Sequence, residues 1–351
     1  MIVYLPMIIL TVCMASMQVK VKRKWEKRII LLMTVLPATL VAAFRYNNGA
    51  DYLMYLRLFK DIGSGHSIVK VDGKSLEKGF ILLVKLCQTI SREPCFTFGV
   101  IALLIICLIF KGCIDSSEDY KLSVLLFFVS GIYFDSFNGL RQYIAMAVFF
   151  YGMKYIFSKE IKKYILCCLI GYLFHKSVLF LIPLYFIQFI KIDLKRAVLI
   201  ILIGTLSMTM IYKVVLFFLA YTPYAYFLTS AEMKNAVTSQ SAIFFFVVNT
   251  VIGYFFYNKN EIIEEKTQIL FNIQVLFLII ALLTPTVPLV SRILSYGLLF
   301  EVLYIPSMLE IIKKRSIKSI SVFLIVILYI IINLYGIYCN GWYGCIPYNF
   351  Y

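Results

Sequence analysis

The sequence predicts an all-α fold, a polytopic integral membrane protein with about 12 transmembrane helices, in a range of about 11 to 14. Hydrophobic residues make up 62% of the 351 residues, charged residues make up 15%, and mean hydropathy is +0.90. A soluble domain averages about 25% charged residues, so a single soluble core and a disordered chain are both excluded. Apolar runs of about 16 to 20 residues recur along the chain, which is too long for barrel strands.

The first apolar run and the loop after it set the orientation. Ile2–Val19 is predicted to be a retained helix, because no basic segment precedes it and no clear cleavage site follows. Six cations lie within residues 20–28. Cytoplasmic loops are rich in Lys and Arg, so this loop is placed inside and the N-terminus outside. The net charge of +16 has the same explanation and does not indicate a nucleic-acid partner.

The remaining spans follow in order from the apolar runs and the charged loops between them. Residues 1–351 then form a single membrane domain with both termini extracytoplasmic. Two long external segments are predicted, at 45–94 and 213–240. The predicted spans are 2–19, 29–44, 95–110, 122–134, 140–157, 164–174, 178–190, 197–212, 242–257, 269–283, 292–312 and 320–338.

One apolar segment, residues 75–90, is predicted not to cross the membrane. It contains Lys85 and is flanked by charged residues on both sides. If it crossed, every later loop would invert, and the basic loops at 159–163 and 313–315 would face outside. We therefore predict an amphipathic helix that lies on the outer membrane interface.

Ionisable residues near the membrane collect on the predicted external side. Charge inside a bilayer costs about 2.5–3.5 kcal/mol per residue, so each is a functional candidate. Arg45, Arg141, His175 and Arg292 come from four separate regions and reach the same leaflet. For each Arg alone the simpler interpretation is snorkelling to lipid headgroups, and for the His a helix-end residue. Together, the Arg forks suit the phosphate oxygens of a diphosphate.

The sequence indicates no metal site and no cofactor site. No CxxC pair and no Cys/His cluster with metal-ligand spacing occurs among the nine Cys. Asp51 is predicted to have no second external carboxylate near it, and its simpler interpretation is a cap for the helix that begins at Tyr52. The sequence also lacks a GxGxxG or Walker motif, so an ATP-driven pump is not indicated.

Short polar motifs occur at intervals along the chain. They are Phe44-Arg45, Gly49-Ala50-Asp51-Tyr52 with Tyr55, Glu77-Lys78-Gly79-Phe80, Asn138-Gly139-Leu140-Arg141-Gln142 with Ala145, Phe174-His175-Lys176-Ser177, Arg292 and Pro347-Tyr348. This ordered set, which covers nearly the whole chain, resembles the EpsG/Wzy-type polymerase family of exopolysaccharide, capsule and O-antigen biosynthesis. One departure is Lys78, where that family often has proline.

The resemblance implies a metal-independent, glycosyltransferase-type polymerase in the bacterial plasma (inner) membrane. Such an enzyme polymerises undecaprenyl-diphosphate-linked oligosaccharide repeat units at the outer face. The growing chain moves from its lipid diphosphate to the non-reducing sugar of a new unit, and undecaprenyl diphosphate leaves. The implied partners are this lipid-linked substrate, the lipid bilayer, and chain-length regulator and flippase proteins, with no cofactor.

The motif residues can be matched to that chemistry. Arg45, Arg141 and Arg292 are predicted to bind the diphosphate, because fixed donors stabilise charge that develops on a leaving group. His175 is the predicted base for the attacking hydroxyl, with Asp51 as the rival base. Sugar-binding or supporting roles are predicted for Tyr52, Tyr55, Glu77, Asn138, Gln142 and Ser177.

Two other classes of function stay open as alternatives. A lipid-linked oligosaccharide flippase or other transporter needs polar groups through the membrane depth, where the inner spans offer only Lys213 and Glu301. We predict instead that Glu301, about 13.5 Å into its span, is a structural residue paired inside the bundle. A membrane glycan O-acyltransferase would place catalytic residues on the cytoplasmic side. A ligase for finished glycan is not separated from a polymerase by sequence.

Overall fold

The computed structural model describes residues 2–64, 70–71, 74–192, 240–257, 264–284 and 290–351, with a few isolated positions between 193 and 239. The described chain is almost wholly helical. It adds one minimal β-hairpin, in which Lys70–Val71 pairs antiparallel with Lys74–Ser75. The predicted span 197–212 and nearly all of the predicted external segment 213–240 lie outside the described residues.

The helices follow the predicted apolar runs closely. The first ten are α1 (Tyr4–Gln18), α2 (Lys24–Ala43), α3 (Tyr52–Gly63), α4 (Lys78–Ile90), α5 (Pro94–Ser116), α6 (Tyr120–Val129), α7 (Ile132–Asp135), α8 (Leu140–Gly152), α9 (Lys154–Phe157) and α10 (Ile161–Tyr172). A 3-10 helix, Lys176–Phe189, comes next. The chain continues with α11 (Gln240–Tyr257), α12 (Glu265–Leu283), α13 (Ser291–Glu310), α14 (Arg315–Asn340) and a 3-10 turn, Trp342–Gly344.

Several helices have the length and composition of membrane spans. Among the described residues, four helices are long and apolar enough to cross a bilayer, namely α5, α12, α13 and α14. Shorter apolar helices accompany them at Tyr4–Gln18, Tyr120–Val129, Lys176–Phe189 and Ala242–Phe255. The all-α membrane architecture is therefore confirmed. The total of about 12 spans and the outward orientation of the termini stay predictions.

The chain divides into two compact units. The first comprises residues 1–182 and 319–351, and the second comprises residues 183–318. In the first unit, α2 packs against both α1 and α5, α5 packs against α8, and α8 packs against α10. In the second unit, α12 packs between α11 and α13. Each unit therefore has its own helical core.

The two ends of the first unit differ in chemistry. At one end, the Tyr4 hydroxyl at the start of α1 donates to the Cys345 carbonyl of the C-terminal tail over 2.8 Å. Both ends of the chain therefore lie at the same end of this unit. At the other end are the basic loops, where Lys154 forms a salt bridge with Asp115 over 2.9 Å. This polarity matches a protein with its basic loops on one side of a membrane.

Helix α4 corresponds to the predicted interfacial helix. Its 13 residues extend about 20 Å at 1.5 Å per residue, which is shorter than a hydrocarbon core of about 30 Å. Phe80, Val84 and Cys87 are buried on one face, and the helix packs against α3 and α5. Leu82 and Leu86 are exposed on another face. A helix here is confirmed, and its place on the membrane interface stays a prediction.

The second unit holds a buried carboxyl group. Glu301 in α13 is 2% exposed, and its Oε1 accepts a hydrogen bond from Asn249 Nδ2 in α11 over 2.8 Å. The Tyr304 hydroxyl donates to the Asn249 carbonyl over 3.1 Å. The prediction that Glu301 is paired inside the bundle is therefore confirmed. Because buried polar groups need partners, this contact fixes how α11 and α13 pack.

The Glu301 contact predicts a difference between two isosteric changes. Asn249→Leu removes a donor from a buried carboxyl and should cost about 1–3 kcal/mol of stability. Glu301→Gln keeps an oxygen that can accept from Asn249, so it should cost much less. The measurement is thermal unfolding of the purified protein in detergent. Equal melting temperatures for Asn249→Leu and the unmodified protein would contradict the pairing.

Candidate active site

Arg45, just after α2, is clamped between two aromatic rings. Its Cζ lies 4.5 Å from the ring centroid of Phe98 and 4.4 Å from that of Phe137. The guanidinium donates to the carbonyls of Ala42, over 2.9 Å, and Phe137, over 3.3 Å. The side chain is 1% exposed. Burial lowers its pKa to about 10, so Arg45 stays charged at neutral pH and its contacts are those of a structural residue.

The C-terminal tail, residues 341–351, is bound to the loop after α2. Asn48 is buried there. Its Nδ2 donates to the carbonyls of Cys345, over 3.1 Å, and Pro347, over 2.6 Å. Its Oδ1 accepts the backbone N–H of Asn349 over 2.9 Å. Two motifs from opposite ends of the sequence therefore form one folded structure, which frames the site.

Asp51 joins this loop to the start of α8. Its Oδ2 accepts the backbone N–H of Gly139 over 3.1 Å, and its own N–H donates to Asn138 Oδ1 over 3.4 Å. Asn138 Nδ2 in turn donates to the Tyr343 carbonyl of the tail over 3.2 Å. The interpretation of Asp51 as a side-chain cap of α3 is wrong, since no such bond forms. The carboxylate instead lies at the start of α8, where a helix favours negative charge.

Arg141, in the first turn of α8, is paired with Glu77. Its Nη1 lies 2.6 Å from Glu77 Oε2, and the two side chains are 20% and 11% exposed. The hydroxyl of Tyr55, on α3, also hydrogen-bonds to Arg141. Glu77 itself immediately precedes α4. Three elements thus hold the guanidinium in one orientation while part of the side chain stays exposed.

A close backbone contact joins the Glu77 and His175 motifs. The Gly79 N–H donates to the Leu173 carbonyl over 2.9 Å. A Cβ at position 79 would lie 2.6 Å from that oxygen, so glycine is required there. The contact fixes the start of α4 against the end of α10, two residues before His175.

His175 is oriented by Ser177. The two side chains approach within 2.6 Å, from Nδ1 to Oγ, and the backbone N–H of Ser177 lies 3.4 Å from Nδ1. A backbone N–H can only donate, so Nδ1 is the acceptor in this contact, and we assign the ring proton to Nε2. His175 is partly exposed. Its Nε2–H is therefore a hydrogen-bond donor at the end of α10.

Asp135, in α7, carries a carboxylate at this end of the first unit that is not among the predicted site residues. The Tyr143 hydroxyl donates to its Oδ2 over 2.7 Å. The pKa of Asp135 is raised from its ordinary value. Burial is the main cause, the nearby charge of Asp51 adds to it, and the hydrogen bond from Tyr143 opposes it. The expectation that no second carboxylate lies near Asp51 is therefore wrong. The signal was present in the sequence, since Asp135 stands three residues before Asn138 in the same break.

The other predicted site residues have varied positions. Tyr52 is buried and stacks on Phe98 with ring centroids 5.1 Å apart, and Tyr55 is buried as well. Both rings are packed in the core, so neither offers an open face to a sugar in this structure. Gln142 is partly exposed in the first turn of α8, and Arg292 is exposed in the first turn of α13, in the second unit. Their predicted roles stay predictions.

A metal ion in a protein is held by a group of several ligand side chains. Among the described residues, no group of three or more His, Cys, Asp or Glu side chains is placed to hold a metal ion.

Apart from Arg292, which lies in the second unit, the motifs that lie far apart in the sequence thus meet at one end of the first unit. Comparison with protein-family models matches residues 28–350 to the EpsG family. The chain belongs to the EpsG family. The match confirms the resemblance stated from the motifs, and EpsG membership indicates a polysaccharide polymerase-type membrane protein. Searches of curated proteins and of solved structures gave no match.

Proposed function

We propose that this EpsG-family protein polymerises undecaprenyl-diphosphate-linked oligosaccharide repeat units at the outer face of the bacterial plasma membrane. The product is an exopolysaccharide, capsule or O-antigen chain, and undecaprenyl diphosphate is released. The observation that carries the proposal is Arg141, a partly exposed guanidinium fixed by Glu77 and Tyr55. Transfer from a lipid diphosphate needs such a preorganised donor where negative charge develops.

Charge distribution supports the outer face as the location of the site. The motifs other than Arg292 lie at the end of the first unit that carries both Tyr4 and the C-terminal tail. The opposite end holds the loops at 20–28 and 159–163, which are rich in Lys and Arg. Short basic loops face the cytoplasm in most membrane proteins. This distribution favours an extracytoplasmic site, where lipid-linked repeat units are available.

The proposed roles at the leaving group differ from those expected from the motifs alone. Arg141 has five N–H donors in a planar fork, so the contact with Glu77 leaves others for phosphate oxygens. We assign His175 a second donor to the diphosphate, through Nε2–H, because its Nδ1 accepts from Ser177. Arg45 supports the fold through its aromatic clamp. Binding of the diphosphate by Arg292 stays a proposal.

An exposed aromatic pair is better suited to contact sugar than the two buried tyrosines. Tyr46 and Tyr351 are both exposed, and their ring centroids lie 6.3 Å apart. Aromatic rings give large, rigid apolar surfaces with a polar hydroxyl at the edge. We propose that this pair contacts the oligosaccharide beside the diphosphate site.

The test is reconstitution with lipid-linked repeat units extracted from cells that lack this protein. The purified protein in nanodiscs should convert them to a ladder of longer lipid-linked chains and release undecaprenyl diphosphate. A flippase would move the lipid across vesicles without lengthening it, and an acyltransferase would change the glycan mass by an acyl group. A single transfer to a different acceptor, with no ladder, would indicate a ligase. Any of these three outcomes would overturn the proposal.

A further inference from the structure

We infer that Asp135 is the proton acceptor for the attacking sugar hydroxyl, with Tyr143 as its positioning residue. This inference rests on the proposed function and extends it, because the reaction requires a base and the Nδ1 acceptor of His175 is already taken by the backbone N–H of Ser177. The carboxylates at this end of the first unit are the other groups that can accept the proton.

The two carboxylates at the break before α8 have different hydrogen-bond partners. Asp51 Oδ2 accepts a backbone N–H at the start of α8, so this carboxylate is committed to holding the loop. Asp135 accepts only a side-chain hydroxyl at Oδ2, from Tyr143, within the part of the chain that the structure describes. Oδ1 is the second acceptor of that carboxylate. Tyr143 lies on α8, one helical turn after Gly139. Its hydrogen bond therefore orients the Asp135 carboxylate relative to this helix.

The environment of Asp135 suits a base. Burial and the charge of Asp51 raise its pKa from the ordinary value, and only the Tyr143 hydrogen bond opposes them. A general base is most effective when its pKa lies closer to the operating pH, because it then binds the proton more strongly. The groups that face Asp135 are Tyr143 from α8, Asp51 from the loop after α2, and Tyr343 from the C-terminal tail.

The proposed reaction forms one bond, breaks one bond and moves one proton. The acceptor hydroxyl oxygen forms a bond to the anomeric carbon of the growing chain, and its proton passes to the Asp135 carboxylate. The bond from the anomeric carbon to the diphosphate oxygen breaks, and undecaprenyl diphosphate leaves with that electron pair. Arg141 stabilises its charge. Asp135 then returns its proton to water.

The first test is the loss of turnover. Asp135→Asn keeps the shape of the side chain and an oxygen that accepts from Tyr143, but it cannot take a proton. The rate should fall about 10²–10⁴-fold, while binding of undecaprenyl diphosphate should be retained. The matched control is Asp61→Asn, at an exposed carboxylate on α3, which should leave the rate unchanged. Wild-type turnover in Asp135→Asn would overturn the inference.

The second test is the pH dependence of the rate, which a purely structural role would not move. The base must be ionised, so the rate should fall as pH falls through the Asp135 pKa. Tyr143→Phe removes the hydrogen bond that lowers this pKa. The acid limb, which is the part of the pH–rate profile where the rate falls with falling pH, should therefore move to higher pH. Asp51→Asn removes the charge that raises it, so the limb should move to lower pH, with the acceptor for Gly139 retained.

The outcomes separate this inference from the proposed function. Opposite shifts in Tyr143→Phe and Asp51→Asn would support Asp135 as the proton acceptor. An unmoved acid limb in both variants, with polymer still formed, would overturn the inference and leave the proposed function standing. Loss of the acid limb in His175→Gln alone would assign the base to His175 instead. Absence of polymer from the wild-type protein would overturn both.

Discussion

Replacing Arg141 by alanine should reduce polymer formation by about 100-fold or more, because a preorganised donor at the leaving group contributes that much. Arg141→Lys should be nearly as harmful. Lysine keeps the positive charge but loses the planar fork, and with it the paired hydrogen bonds to phosphate oxygens and the fixed contact with Glu77. The measurement is the rate of chain lengthening from purified lipid-linked repeat units, at equal protein levels.

Two further variants make the Arg141 prediction specific. Arg57 is exposed on α3, so Arg57→Ala is the matched control and should keep normal activity. Glu77→Gln keeps the shape of the partner but weakens the 2.6 Å ion pair, so an intermediate rate is expected. Normal chain lengthening by Arg141→Ala would remove the main support for the site and for the leaving-group role.

Replacing His175 by alanine should lower turnover by about 100-fold, because a second donor to the diphosphate is lost. His175→Gln should retain more activity, since its side-chain amide can still donate. This comparison separates the donor role from that of a base, in which both variants would lose the rate equally. Ser177→Ala should have a smaller effect, because it removes the Oγ contact but keeps the backbone N–H that lies near Nδ1.

The convergence of the motifs was predictable from the sequence. Hydropathy gave the helical architecture, and the charged loops placed the breaks at 45–51, 134–142 and 173–177 on one side. The structure brings these breaks together at one end of the first unit, through contacts such as Asp51 to Gly139 and Gly79 to Leu173. Topology alone therefore predicted that these three breaks lie at one end of a helical bundle.

The individual contacts of the candidate site residues were not predictable from the sequence. A sequence does not show that two rings enclose Arg45, so a helix-end arginine and a phosphate-binding arginine look alike until the packing is known. The same limit applies to Tyr52, whose ring is turned into the core against Phe98. Side-chain partners between distant segments depend on tertiary contacts, and the hydropathy pattern carries no information about them.

The binding of the C-terminal tail to Asn48 has a consequence for how the protein is made. The two partners of that contact are 297 residues apart, and Tyr343 of the tail is the residue that holds Asn138. Residues 341–351 follow all fourteen α-helices that the structure describes, so this contact can form only after those helices have been synthesised. A chain that ends before residue 343, or one in which α14 fails to insert, lacks these contacts. The loop after α2 therefore gains its partners late in synthesis, and a nascent chain without the tail does not hold Asn48 and Asn138 as the folded protein does.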